Sequence, residues 1–149
     1  MAGEKTTAYA NGLLQLVFQN VAAAPINAIG SGLVAATTAG SLYFSLHTAD
    51  PTAAGTQSSN EISYTGYARV AVARSTGGFT VTSNSVSPAA TVIFGQMTAG
   101  TGGTASFFGI GTAASAAGNL LLAGPISPTI AVANGVTPEL TTATAIAET

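Results

Sequence analysis

The sequence predicts a mainly β protein, an antiparallel β-sandwich of about eight short strands with one N-terminal α-helix. Three observations predict it. From Ser41 onward apolar residues recur with a period of two, as in SLYFSLH, where Leu42, Phe44 and Leu46 point one way and Tyr43, Ser45 and His47 the other. Gly or Pro punctuates nearly every gap between such runs. Before Ser41 the spacing is three to four, over a single stretch from Thr6 to about Ala23.

That first stretch places Leu13, Leu14, Val17, Phe18 and Val21 on one helical face. Thr6 or Thr7 can cap its start, and Pro25 stops its continuation. The same region imitates a secretory signal, with Lys5 before Gly12–Phe18 and small residues at Val21-Ala22-Ala23-Ala24. Glu4 beside Lys5, and Gln15, Gln19 and Asn20 within the apolar run, favour a retained helix instead. Ile26–Gly40, rich in Gly, Ala and Thr, reads as an extended arm or loop. The expected division is therefore a helix and arm over residues 1–40 and a β-sandwich over 41–149.

Within the second part, Thr52–Glu61 is small and polar, hence a loop. Tyr67–Arg74 (YARVAVAR) alternates again, Gly77-Gly78 makes a turn, and Phe79–Thr82 is a further strand. Thr91–Phe94, Thr104–Ile110, Asn119–Ala123, Thr129–Ala133 and a weakly patterned stretch near Leu140–Ile146 complete the set.

Composition narrows the function. Only 5% of residues are charged, where an ordinary soluble domain carries about 25%. Mean hydropathy is +0.47, yet the densest apolar run, Leu13–Phe18, is far short of the roughly 20 residues a membrane helix needs. A surface so poor in charge points to one covered by neighbours, and no membrane partner is expected. Lys5, Arg69 and Arg74 are the only cations, too few to track a phosphate backbone, so no nucleic-acid partner is expected either. The chain has no cysteine, which removes disulfides, thiolate metal sites and cysteine nucleophiles.

Motifs for catalysis are equally thin. His47, the only histidine, precedes Asp50-Pro51 and could act as a base oriented by Asp50. No Gly-x-Ser-x-Gly elbow accompanies it, and Asp-Pro is also how a strand exits into a turn, the reading preferred here. One histidine cannot build a multi-histidine zinc site, and the carboxylates form no calcium loop. Asp50 and Glu61 could pair as glycosidase carboxylates only if the fold brought them together. Gly109-Ile110-Gly111-Thr112-Ala113-Ala114 spells a dinucleotide fingerprint, but Asn119-Leu120-Leu121-Leu122 follows too soon for the required helix. No cofactor, metal or catalytic residue is therefore expected. Tyr43, Tyr64 and Tyr67 could line a carbohydrate-binding or protein-binding surface, or simply be half-buried strand residues. Arg69 and Arg74 should each meet a specific partner, Glu61 or Glu139 among the choices.

Four pieces carry a resemblance: Leu46-His47-Thr48-Ala49-Asp50-Pro51, Gly66-Tyr67-Ala68-Arg69, Phe108-Gly109-Ile110, and Gly118-Asn119-Leu120-Leu121. Over Leu42 to Leu140 the chain resembles small virion proteins of tailed bacteriophages, both head decoration (cement) proteins and minor tail or fibre-associated proteins. The resemblance implies a non-enzymatic structural protein with a sandwich of jelly-roll type. Its leading implication is a cement protein on the outer head surface that cross-links the major capsid (coat) protein and self-associates as a dimer or trimer. A minor tail or fibre-associated protein is the alternative, and a carbohydrate-binding module the third reading. Expected interface residues are Leu14 and Phe18 on the helix, Ile26, Ile29 and Leu33 on the arm, and Tyr67 and Arg69 on the sheet. The helix face serves equally well as core.

Overall fold

The structure is a computed structural model, and it describes residues 5–29 and 33–148. The part of the arm at residues 30–32, and Glu4 beside Lys5, lie outside the described residues. Mainly β architecture in antiparallel sheets, with a helix at the N-terminus, is what the structure has. The chain forms two compact units, neither continuous in sequence. One comprises Met1–Ser41, Ala73–Ala90 and Thr142–Thr149, the other Leu42–Val72 and Thr91–Thr141. The N-terminal helix thus belongs with strands from the middle and end of the chain.

In the first unit, α1 (Thr7–Leu14) continues as a single π-helical turn, Gln15–Gln19. Thr6 caps it, its hydroxyl accepting from the Tyr9 N–H. The helix stops four residues earlier than its apolar spacing suggests, because Asn20 turns left-handed (φ 57°). Asn20 then holds the arm: its amide donates to the Ala36 carbonyl at 2.8 Å and its oxygen accepts from the Ala36 N–H at 2.7 Å. The helix packs on β3 (Phe79–Thr82) and β4 (Ser85–Pro88), an antiparallel hairpin extended by β9 (Ile146–Ala147). Phe18 meets Phe79 edge-on, ring centroids 5.2 Å apart, and Ala10, Leu14, Ile26 and Val86 complete this core.

Among the described residues Arg74 meets no carboxylate. Its guanidinium donates instead to the carbonyls of Leu16, Val17 and Ala39 at 2.8, 2.6 and 2.9 Å. Two of these belong to the last helical turn, whose carbonyls need outside donors and whose partial negative charge suits a cation.

The second unit is built on a four-stranded antiparallel sheet ordered β2-β1-β6-β7, from β1 (Ser41–His47), β2 (Val70–Ala73), β6 (Gly103–Gly111) and β7 (Leu120–Val132). A short pair, β5 (Val92–Ile93) with β8 (Glu139–Leu140), accompanies it. In the central ladder Phe44 faces Ile110 and Leu46 faces Phe108, so apolar residues lie opposite one another across the strands. Phe44 stacks on Phe108, and Leu42, Ile62, Phe94, Met97 and Leu140 join this core.

Four strand assignments differ from the sequence pattern: the YARVAVAR run is a strand only over Val70–Ala73, with Tyr67 and Arg69 before it. Asn119–Ala123 and Thr129–Ala133 are parts of one strand, β7, because the intervening Pro125 and Pro128 lie on the sheet's outer edge, where a missing N–H costs no ladder bond. Ser85–Pro88 is a strand that alternation in so polar a stretch did not reveal. The Leu140–Ile146 stretch is two short strands, β8 and β9, belonging to different units.

Candidate functional site, a clamped pair of loops

The polar residues of the second unit converge on two loops, 48–60 after β1 and 112–119 between β6 and β7. Asp50 starts the first as an Asx turn, one carboxylate oxygen accepting from the Thr52 N–H at 2.8 Å. Asn60 ends it, donating to the Asp50 carbonyl at 2.9 Å. Between these points the loop folds back along β1 and covers its polar face.

That cover explains His47. A two-residue period puts its face opposite Leu46 and predicts at least partial exposure; the structure buries it completely. Its Nδ1 lies 2.7 Å from the Ser59 carbonyl, which can only accept, so Nδ1 carries the proton. Nε2 therefore accepts from the Ser45 hydroxyl at 2.9 Å. Burial holds the imidazole below its usual 6.5, outweighing the Ser59 hydrogen bond and the Glu61 charge, which raise it. A serine donating to a neutral histidine is the start of a hydrolase site, yet the geometry leaves no place for substrate. Ser45 is also fully buried, and the orienting group is a main-chain carbonyl rather than Asp50. Opposite Ser45 in the ladder sits Gly109, where an added Cβ would lie 2.7 Å from His47 Nε2 and 2.9 Å from Ser45 Oγ. Where a methyl does not fit, a scissile carbonyl does not either.

Gly111 makes the same kind of room for Gln57, which is fully buried. Gln57 donates to the Tyr43 carbonyl at 3.3 Å and accepts from the Ala113 N–H at 2.9 Å, tying the first loop to the second. The glycines of the dinucleotide-like motif are thus close-approach residues at the end of β6, and β7 follows where a helix would be required.

Arg69 completes the junction. Its Nε and Nη2 donate to the two oxygens of Glu61, both at 2.7 Å, in the bidentate geometry that suits a guanidinium. The remaining donors reach the Ala113 carbonyl at 3.0 Å, the Ala116 carbonyl at 2.7 Å and Ser58 Oγ at 3.3 Å. The side chains are 3% and 16% exposed for Arg69 and Glu61. The hydrogen bonds to Glu61 hold the guanidinium above its ordinary pKa. Tyr67 donates to Glu61 at 2.8 Å and accepts from the Leu46 N–H at 3.1 Å, and desolvation pushes its phenol up. Its ring stacks on Phe94, while Tyr64 donates to the Gly95 carbonyl at 2.9 Å. Tyr64 is therefore buried and Tyr67 half-buried, both with their hydroxyls engaged.

The expected interface residues separate cleanly. Leu14, Phe18 and Ile26 are core residues of the first unit, at most 3% exposed. Ile29 and Leu33, 57% and 37% exposed, stand out from the arm together with Val34. Tyr67 and Arg69 lie in the clamp. Of the two carboxylates considered for Arg69, the structure chooses Glu61. Ser45 was legible as lying on the His47 face; Gln57, in a loop of small polar residues, carried no signal. Among the described residues no group of three or more His, Asp or Glu is placed to hold a metal ion, and no helix is long and apolar enough to cross a membrane.

Fold and site together define a mainly β protein whose buried polar groups fix loop shape. The chain belongs to the family described as podophage GP4 fiber I protein gp80, whose model matches residues 4–147. It is thus a structural protein of the phage virion. No curated protein matches it.

Proposed function

We propose that the chain is a fibre-associated component of the phage tail that acts by adhesion and not by catalysis. The match of residues 4–147 to a podophage fibre family carries this reading and favours it over the head-surface cement protein first expected. The sealed Ser45–His47 pair and the clamped loops support a binding role, since both commit polar groups to holding a surface still. Self-association as a dimer or trimer, through the uncharged arm at Ile29 and Leu33, supplies the contact that Leu14, Phe18 and Ile26 cannot supply from the core.

Location and copy number in purified particles test the reading. Antibody labelling at the tail, with about three to twelve copies per particle as tail symmetry requires, is the expected result. Labelling over the head in hundreds of copies would return the protein to capsid decoration, with the coat protein as its partner.

A further inference from the structure

Among the described residues β7 is the outer strand of the four-stranded sheet, paired with β6 on one side only. Alternate residues of such a strand aim their N–H and C=O groups away from the sheet, a template for another extended chain. Past Gly124 that edge is blunted by Pro125, Pro128 and a break in the ladder register opposite Ala105–Phe107. Before Pro125 no proline or charge protects it. There the Asp50 loop stands beside the strand, and the two enclose a cleft of about 270 Å³ lined by Asp50, Thr52, Gly55, Leu120, Leu122 and Ala123 among others.

Leucine and alanine face this cleft from the strand, and among the described residues Asp50 is the only charged one on it. One Asp50 oxygen is held by the Thr52 N–H, which fixes the carboxylate's direction. An apolar wall with one oriented carboxylate complements a long side chain that has an aliphatic stem and a cationic head. This chain cannot readily supply that side chain from a second copy. Arg69 and Arg74 are committed to Glu61 and to main-chain carbonyls, and Lys5 is paired with Glu148 at 2.6 Å.

We infer that the cleft between β7 and the Asp50 turn is a docking socket for a lysine or arginine presented by an extended segment of a different protein. The segment runs along the β7 edge at Leu120–Gly124, main chain to main chain, and its basic residue reaches Asp50.

The test titrates the isotopically labelled full chain with acetyl-Thr-Val-Thr-Lys-Thr-Val-Thr-amide, following amide shifts by NMR. The same peptide with norleucine for lysine is the control. Shifts confined to Asp50–Gly55 and Leu120–Gly124 are expected, with binding weakened roughly tenfold for the norleucine peptide and for Asp50→Asn, as loss of a partly screened charged hydrogen bond implies. Asp50→Asn keeps an oxygen for the Thr52 N–H, so the turn survives. Absence of shifts at millimolar peptide, equal binding of both peptides, or a β7-edge dimer of the free protein that excludes the peptide would each overturn the socket.

Discussion

Replacing Arg69 by Met removes the guanidinium while keeping an aliphatic stem of similar reach. Its hydrogen-bond partners are then affected unequally. Glu61, 16% exposed, keeps a charge with, among the described residues, only Tyr67 donating to it. The Ala113 carbonyl loses its Arg69 donor, whereas Ala116 retains the Ser58 hydroxyl at 2.8 Å. Breaking a buried pair from one side costs about 3–5 kcal/mol, mostly for the charge left behind. The residual exposure of Glu61 and its remaining donor favour the lower end, about 3 kcal/mol. Against a typical total of about 5–15 kcal/mol this is a large loss. With a urea dependence of about 1–3 kcal/mol per molar, the midpoint should fall by about 1–3 M. The chain has no tryptophan, so near-ultraviolet circular dichroism of its tyrosines, Tyr67 among them, is the appropriate probe. Adding Glu61→Gln removes the orphan charge and should recover about 1 kcal/mol or more of the loss. A single-mutant cost below about 1 kcal/mol, the value for exposed pairs, would refute the claim that this pair holds the loops.

Other perturbations probe neighbouring parts of the same construction. Gly109→Ala forces a methyl to within 2.7 Å of both His47 Nε2 and Leu120 Cδ1, and should cost about 1–3 kcal/mol in chemical denaturation, the range for overpacked cores. His47 gives a pH dependence whose sign follows from its depressed pKa: the unfolded chain takes up a proton near 6.5 that the folded chain resists. Stability should therefore be full above about pH 6.5, fall as the pH drops below it, and level off beneath the folded value; His47→Gln should flatten that part of the profile. Arg74→Ala leaves the Leu16, Val17 and Ala39 carbonyls without their donor and should cost about 1–2 kcal/mol, with faster amide exchange in α1 and its π turn as the signature.

The period-two signal recovered β1, β3 and β6 closely, because each has one face against a core and the other toward a different environment. It failed where that contrast is weak. Ser85–Pro88 buries only Val86 and Pro88 between serines, so its alternation reads as loop. β7 crosses two prolines that a central strand would not tolerate, and an edge position cannot be inferred without the sheet order. The clamp was half legible. A scarce arginine had to find a partner, and Glu61 was one of two candidates; that Arg74 would take helix carbonyls instead depended on where the helix ended. His47 shows the limit most clearly. Its strand face followed from sequence, but its burial came from the chain that follows it, and a loop folding back over its own strand leaves no periodic trace.

The fate of the charges bears on the proposed adhesion. Each of the three cations is engaged within the chain: Lys5 with Glu148, Arg69 with Glu61 and two loop carbonyls, and Arg74 with three carbonyls. With each cation held by groups of its own chain, none is free to form an ion pair with another protein. Contact binding is limited by the entropy lost when mobile loops become fixed, a cost reduced by fixing them beforehand. The clamp does this for loops 48–60 and 112–119, where alanine, serine and threonine dominate and Asp50 is the one charged side chain. With most side chains that small, the proposed contact depends mainly on the shape of the backbone they sit on. Loosening that backbone should therefore weaken partner binding even when no contacting residue is changed. Arg69→Met provides the comparison: in a protein that remains folded it should reduce incorporation into particles, whereas Arg74→Ala, acting in the other unit, should spare any contact made by these loops.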